Sequence, residues 1–496
     1  MNRRSFLSRS LLSAASFGVG TALPFGRSRF ELFPSAEAAG LPTPYPVLMI
    51  MCIGGLDPAM HMVARPNGSV GGVELVNRLP GTSSFKRTTT GIDYVSSVVT
   101  PAGKTDFEPH LNDVALLRAL RLEGDHAAQA SIWFGYRIGA SSVKTGPGTT
   151  RFGRAPWPNQ LAAQFRKRGV IVPKPCAIAY KQEANFRPEP YRDFLSWGNQ
   201  SPDPSTAADR ILSLASYFKS ISTVGLPPPA RQAPAYGLID TLDQSFAGET
   251  QADYAERFAA ANGTASQVLR TVLAGGPAWP PAPETVAALG LTPSNLDPDL
   301  TTDAQYEHMY ALAFQSLSRN LAHVVAFKTE GDRDSGWDTH SANVTRQTRN
   351  GNHLWPALGK LIALMKKTPS PIVPGLSLFD TTNIWVQSEM GRSPNAQVRD
   401  KDANGKPVAP YVTNGNEHWS HGSATFLGGR FKRGKVIGDF TPRWEAKPIN
   451  PATGEEAGGI VLNMNNAIAT VMKAAGGNPS EFTDAAPIDA LLDMSR

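Results

Sequence analysis

Apolar residues along this chain fall into two kinds of pattern. Pro46 to Ile53 (PVLMIMCI) is continuously apolar and ends in Gly54-Gly55. Continuous rather than alternating hydrophobicity predicts a strand buried on both faces, as in a parallel sheet. Val114 to Leu120, Pro175 to Tyr180, His323 to Lys328 and Thr382 to Ser388 read as further strands. Between the last two, Leu354, Leu358, Leu361 and Met365 fall at i, i+4, i+7 and i+11, the spacing of one apolar helix face. Met309, Leu312, Leu317 and Leu321 predict another helix just before His323. Strand, helix, strand in this order implies a βαβ crossover, hence an α/β fold with a mainly parallel sheet. Residues 200–300 differ: helical pieces such as Tyr254 to Leu273 alternate with Pro-rich joints at Pro227-Pro228-Pro229 and Pro277 to Pro283. We read about 195–300 as a helical insertion on the sheet rather than a separate domain. Residues 396–416 are polar and turn-rich and read as a long loop.

The first residues follow another logic. Asn2-Arg3-Arg4-Ser5-Phe6-Leu7 is a twin-arginine export pattern. The apolar stretch from Leu11 to Phe25 is broken by Gly18, Gly20 and Pro24, so it is too short to span a bilayer. Ala36-Glu37-Ala38 supplies a small-x-small cleavage site. The expected layout is a signal peptide over 1–38 and one α/β domain over 39–496, delivered by the twin-arginine machinery to the periplasm or beyond. No later run reaches 18 consecutive apolar residues, so no stable membrane span is expected.

Composition narrows the function. The 496 residues hold 45 Gly and 41 Pro, more than the roughly 12% of an average chain, which fits long turn-rich connections. The formal net charge is +6, and the export segment carries five Arg against two Glu, so the remainder is only weakly basic and no nucleic-acid partner is expected. Two cysteines exclude a disulfide scaffold and a cysteine-rich zinc module. Cys52 and Cys176 could pair in an oxidising compartment or remain buried thiols. No dinucleotide fingerprint, haem motif or cysteine cluster supports a redox enzyme.

Ligands of open parallel sheets bind beyond the carboxyl ends of the strands. Acids and imidazoles gather in that position here. Asp57 follows the first strand, Asp125-His126 the strand ending at Leu120, and Glu389 the 382–388 strand. Asp338 and His340 lie ten and twelve residues past Lys328, and Glu417-His418 with His421 precede the apolar run Ala424 to Leu427. Such groups drawn from separate strand ends form a candidate divalent-metal site. Imidazole suits zinc and related metals, and carboxylate suits Mg, Ca or Mn. An Asp after a strand also serves as a turn former or helix N-cap, and a lone His as a structural hydrogen-bonding group.

Four motifs in this order, Gly54-Gly55-Leu56-Asp57, Gly336-Trp337-Asp338-Thr339-His340, Ser388-Glu389-Met390-Gly391-Arg392 and Glu417-His418 with Leu427-Gly428-Gly429, resemble domain-of-unknown-function family 1501. That family is similar to the alkaline phosphatase and sulfatase superfamily. The resemblance implies a doubly wound sheet sandwiched by helices, with a two-metal site at the strand ends. By position, Asp57 and Glu389 would serve one metal, and Asp338, His340 and His418 the other. Three positions depart from the superfamily: Met390 stands where a ligating His is usual, Glu417 replaces an Asp, and Asp125 stands where a hydroxyl nucleophile is usual. Asp125 could be an aspartyl nucleophile, a ligand or a relic. The expected activity is metal-assisted hydrolysis of an anionic phosphate or sulfate ester. Arg392 could grip two anionic oxygens or pair with a carboxylate inside the fold, and His126 or His421 could protonate the leaving group. The alternative is a catalytically inactive exported protein that uses the same fold to bind a partner or glycan.

Overall fold

The run after Pro46 forms strand β1 (Val47–Met51), all five residues buried. The computed structural model describes residues 42–496 outside 65–67, 71–72, 76–84, 125–130, 137–141, 147–148, 153–155, 169–175, 180–194, 197–281, 292–305, 321, 330–335, 341–342, 394–395, 399–416 and 442–443. The expected signal peptide over 1–38, Asp125, His126, nearly all of the expected helical insertion and most of the 396–416 loop lie outside the described residues. The main sheet joins β1 to β2 (Ala115–Arg121), β3 (Cys176–Ala179), β4 (Leu195–Ser196), β5 (Val324–Lys328), β6 (Asn383–Gln387), β7 (His421–Leu427) and β8 (Val436–Ile437) in the order β4-β3-β5-β1-β6-β7-β2-β8. β1 lies between β5 and β6, parallel to both, with Val47 opposite Val324 and Asn383.

The sheet is mixed. β7 runs antiparallel to both β6 and β2. The remaining pairings, among them β3 with β4 and with β5, are parallel. The apolar run Ala424 to Leu427 carries no signal of direction. Direction comes from the connection: the chain leaves β6 at Gln387, forms a two-residue pairing between Gly391–Arg392 and His418–Trp419, and re-enters the sheet from the same edge.

Helices cover both faces of the sheet. Leu48, Ile50 and Cys52 point into one apolar cluster with Leu354, Leu358 and Leu361 of helix α3 (Asn343–Lys367) and Leu317 of α2 (Tyr306–Ser318). Val47, Met49 and Met51 point into the other with Leu161 and Phe165 of α1 (Trp157–Lys167) and Ile468 and Val471 of α4 (Met464–Ala474). Alternate side chains of one strand leave on opposite faces, so β1 is sealed from both sides. Cys52, the residue after it, is a buried free thiol. α4, capped by Asn463 through a reciprocal pair with Asn466, was not predicted by the apolar spacing.

α3 is longer than its apolar stripe predicts. It begins at Asn343, and its buried face continues upstream as Asn343, Gln347, Asn350 and Gly351. These keep the i, i+4, i+7, i+8 spacing but are not hydrophobic, so a count of apolar residues finds only the downstream half. One helical face is thus polar where it approaches the end of β1 and apolar where it meets the core.

Burial also sets an acid response. His61 and His323 are buried, and desolvation lowers their pKa values to about 4 and about 3. His323 packs edge-on against Phe165 at 4.7 Å, and its Nε2 has no hydrogen-bond partner among the described residues. Both stay neutral when folded but take up a proton near pH 6.5 when unfolded. Stability is therefore lost as pH falls from about 6.5, by up to ~1.4 kcal/mol per pH unit for each group. Asp57, raised to about 6 by burial, works in the opposite sense between about pH 6 and 4. Urea unfolding midpoints are expected to fall from pH 7 to pH 5, and His323→Phe to flatten that fall; an unchanged slope in the variant would refute the assignment.

Candidate metal centre at the strand ends

The carboxyl ends of β1, β5, β6 and β2 and the start of β7 meet at one edge of the sheet. β1 leaves through Gly54, whose φ is +117° and where a Cβ would stand 2.5 Å from the Asp338 amide nitrogen. Only glycine fits, because that backbone region is closed to other residues and the next loop presses on it. Gly391 meets the same demand without unusual φ: a Cβ there would stand 1.9 Å from the His421 carbonyl oxygen. These approaches bring loop 336–340, the 391–392 strand and the 418–421 segment together.

Asp338, His340 and His418 converge on one point. The two imidazole Nε2 atoms face each other at 3.0 Å. Asp338 Oδ1 lies 3.1 Å from His340 Nε2 and 3.8 Å from His418 Nε2. Tetrahedral zinc, with bonds of about 2.0–2.1 Å, places its ligand atoms ~3.4 Å apart, so these separations bracket the expected value. The opposite side of His340 is also prepared. Glu417 Oε2 stands 3.3 Å from its Nδ1, which favours the proton there and leaves the Nε2 lone pair directed at the gap. Carboxylates behind ligating imidazoles commonly play this part. The side chains of His340, Asp338 and His418 are 43%, 37% and 24% exposed, so the centre opens to solvent. The residues therefore fit a divalent cation held by two imidazoles and one carboxylate, with room for a further ligand.

The other sequence-derived candidates sit differently. Arg392 is fully buried, and its Nη2 donates to Asp338 Oδ1 at 2.5 Å, to the Trp337 carbonyl at 3.3 Å and to the Gly54 carbonyl. These Nη2 contacts are an internal pairing with the Asp338 carboxylate and two backbone carbonyls. Glu389 is buried, and both its oxygens accept from the Gly54 amide, at 2.8 and 3.2 Å. Asp57 caps the short helix Pro58–Met60, accepting from the Ala59 amide at 3.1 Å, while its second oxygen accepts from Asn343 Nδ2 at 2.9 Å. Burial pushes its carboxyl up to about 6, against the pull of Asn343, the backbone amides and the Arg392 charge. Among the described residues, neither Asp57 nor Glu389 joins a group of three metal-ligating side chains. His421 opens β7, with Nδ1 3.2 Å from Ser420 Oγ. Burial, and then the Arg121 charge, lowers its pKa to about 4. At pH 7 it is neutral, suited to accepting a proton and poorly suited to supplying one to a leaving group.

Several site residues were not among the candidates named from the sequence. Thr339 lies between the two ligands of its loop, fully buried, bonded to Asn343 Oδ1 and accepting from Gln347 Nε2 at 3.1 Å. Gln347 Oε1 lies 3.0 Å from His61 Nε2, and Trp355 Nε1 donates to His61 Nδ1 at 3.0 Å. The one available signal was the helical spacing of Asn343 and Gln347 with Leu354.

Comparison with other proteins identifies a family and is silent on chemistry. Among solved structures, Ps i-CgsB aligns over 89% of this chain and 75% of its own, at 11% identity and a TM-score of 0.34. Leishmania mexicana phosphoglycerate mutase at low cobalt concentration aligns over 36% of this chain and 28% of its own, at 14% identity and a TM-score of 0.21. Both likenesses are too loose to bear on activity. No curated protein matches the sequence. The model of DUF1501, a protein family of unknown function, matches residues 224–486. That span includes Asp338, His340, Glu389, Arg392 and His418, and by it the chain belongs to the DUF1501 family.

Proposed function

We propose that this chain is an exported, divalent-metal-dependent hydrolase of phosphate or sulfate esters, with an alkaline phosphatase-like fold. The observation that carries the reading is the convergence of Asp338, His340 and His418 within hydrogen-bond range at the open edge of the sheet. Asp338, His340 and His418 would hold the cation. When bound there, a divalent ion polarises an ester oxygen and brings the pKa of a bound water toward about 7. Glu417 keeps the His340 Nδ1 proton in place, so that Nε2 remains a donor of its lone pair. Arg392 fixes the Asp338 carboxylate from inside the fold. His421, neutral at pH 7, is positioned beside this edge to accept a proton. Asp125 and His126, outside the described residues, remain candidates for nucleophile and proton donor. The N-terminal Arg3-Arg4 pattern supports export to the periplasm or beyond.

A second reading, a metal-holding protein that binds an anionic ester or glycan without turning it over, is favoured by two observations. Met390 is buried where the superfamily places a ligating His, and Arg392 is engaged within the fold instead of facing a substrate. Purified full-length protein, assayed on aryl phosphate and aryl sulfate esters with added Zn, Mn, Mg or Ca, separates the two. Metal-stimulated turnover that His340→Ala abolishes supports the hydrolase. Bound metal with no turnover on any ester supports the binding protein.

A further inference from the structure

The buried side of the centre is a closed polar network, and its hydrogen-bond directions can be assigned. The Trp355 indole only donates, so His61 Nδ1 accepts and its proton sits on Nε2. That proton goes to Gln347 Oε1, which also accepts from the Asp57 amide at 3.2 Å. Gln347 Nε2 must then donate, and it meets the Gly55 carbonyl at 2.9 Å and Thr339 Oγ1 at 3.1 Å. The Thr339 hydroxyl donates to Asn343 Oδ1. Asn343 Nδ2, the remaining donor, ends on Asp57 Oδ2. A flipped Gln347 would put donor against donor at His61 Nε2 and the Asp57 amide, and a flipped Asn343 would put its oxygen against the Asp57 carboxylate. Glu389 completes the scaffold from the other side by holding the Gly54 amide, while Arg392 holds the Gly54 carbonyl. The backbone of Gly54 in turn supports Asp338.

From this juxtaposition we infer that the centre takes one divalent cation, on Asp338, His340 and His418, and that Asp57 and Glu389 are positioning residues instead of ligands to a second ion. The inference rests on the metal reading above and departs from the two-metal arrangement that the superfamily resemblance implies. Asp57 and Glu389 are buried at 5% and 0% exposure, against 37% for the Asp338 side chain. Their oxygens accept hydrogen bonds inside the fold, and neither carboxyl opens to solvent beside the two imidazoles as that of Asp338 does. Thr339 follows as a third positioning residue. It turns inward between two outward ligands and ties their loop to α3.

Cobalt(II) titration of the full-length protein, followed by visible absorption and by metal analysis after desalting, tests this without reference to turnover. One equivalent per chain is expected. Asp57→Asn and Glu389→Gln are each expected to keep a stoichiometry of one equivalent while binding cobalt about 10- to 100-fold more weakly, as the loss of a positioning group requires. Thr339→Val is expected to weaken cobalt binding about 10- to 100-fold, the usual effect of removing a group that orients a ligand, and Thr339→Ser to restore it. Two equivalents in the wild-type chain, or loss of the cobalt band in Asp57→Asn with folding intact, would overturn the inference while leaving the metal reading standing. No cobalt uptake by the wild-type chain would overturn both.

Discussion

Asp338→Ala is expected to abolish cation binding and, with it, any ester turnover. Asp338 Oδ1 lies within 3.8 Å of both imidazole Nε2 atoms, so the change removes the only carboxylate of the three-ligand set. Loss of a group behind a ligand costs about 10- to 100-fold in affinity, and loss of the ligand itself should exceed ~100-fold. The change also strips the buried Arg392 guanidinium of its carboxylate partner. An uncompensated buried charge costs several kcal/mol, here reduced because the Asp338 side of the pair is partly open to water. The variant should therefore melt lower than wild type even without metal. Isothermal titration with zinc and a thermal melt of the metal-free protein check the two effects separately. Wild-type zinc affinity in Asp338→Ala would refute the site.

Gly54→Ala should have the next largest effect, and on stability first. At φ +117° a non-glycine residue costs ~1–3 kcal/mol from strain alone. The added Cβ would also press on the Asp338 amide from 2.5 Å. A loss of at least ~3 kcal/mol is expected in urea unfolding, with weaker metal binding as the ligand loop is pushed away. An equal effect from Gly103→Ala, where φ is +77° and a Cβ would meet nothing within 4 Å, would show that strain, and not contact with the ligand loop, dominates.

Much of the fold was legible because buried parallel strands are marked by composition alone. Val47–Met51, Val324–Lys328 and Asn383–Gln387 were found within two residues at each end. The antiparallel β7 was not, since a strand's direction depends on where the preceding chain returns. The exposed half of the site was legible through residue type: Asp338, His340 and His418 carry their chemistry in their names. The buried half was not. Thr339, Asn343, Gln347 and His61 are ordinary polar residues whose importance comes from mutual orientation, and the placement of Asn343 and Gln347 on one face of α3 becomes visible only once the helix is known to start at Asn343. Arg392 was seen with both its roles open; it is buried and its Nη2 is paired with Asp338.

The two-part face of α3 has a consequence for how the ion arrives. Its downstream leucines join the core that folding must form anyway, and its upstream amides hold the ligand loop through that same rigid rod. The cavity for the guest is thus shaped in advance by the host's own collapse. A cation taken up by these ligands would then demand little rearrangement of the polypeptide.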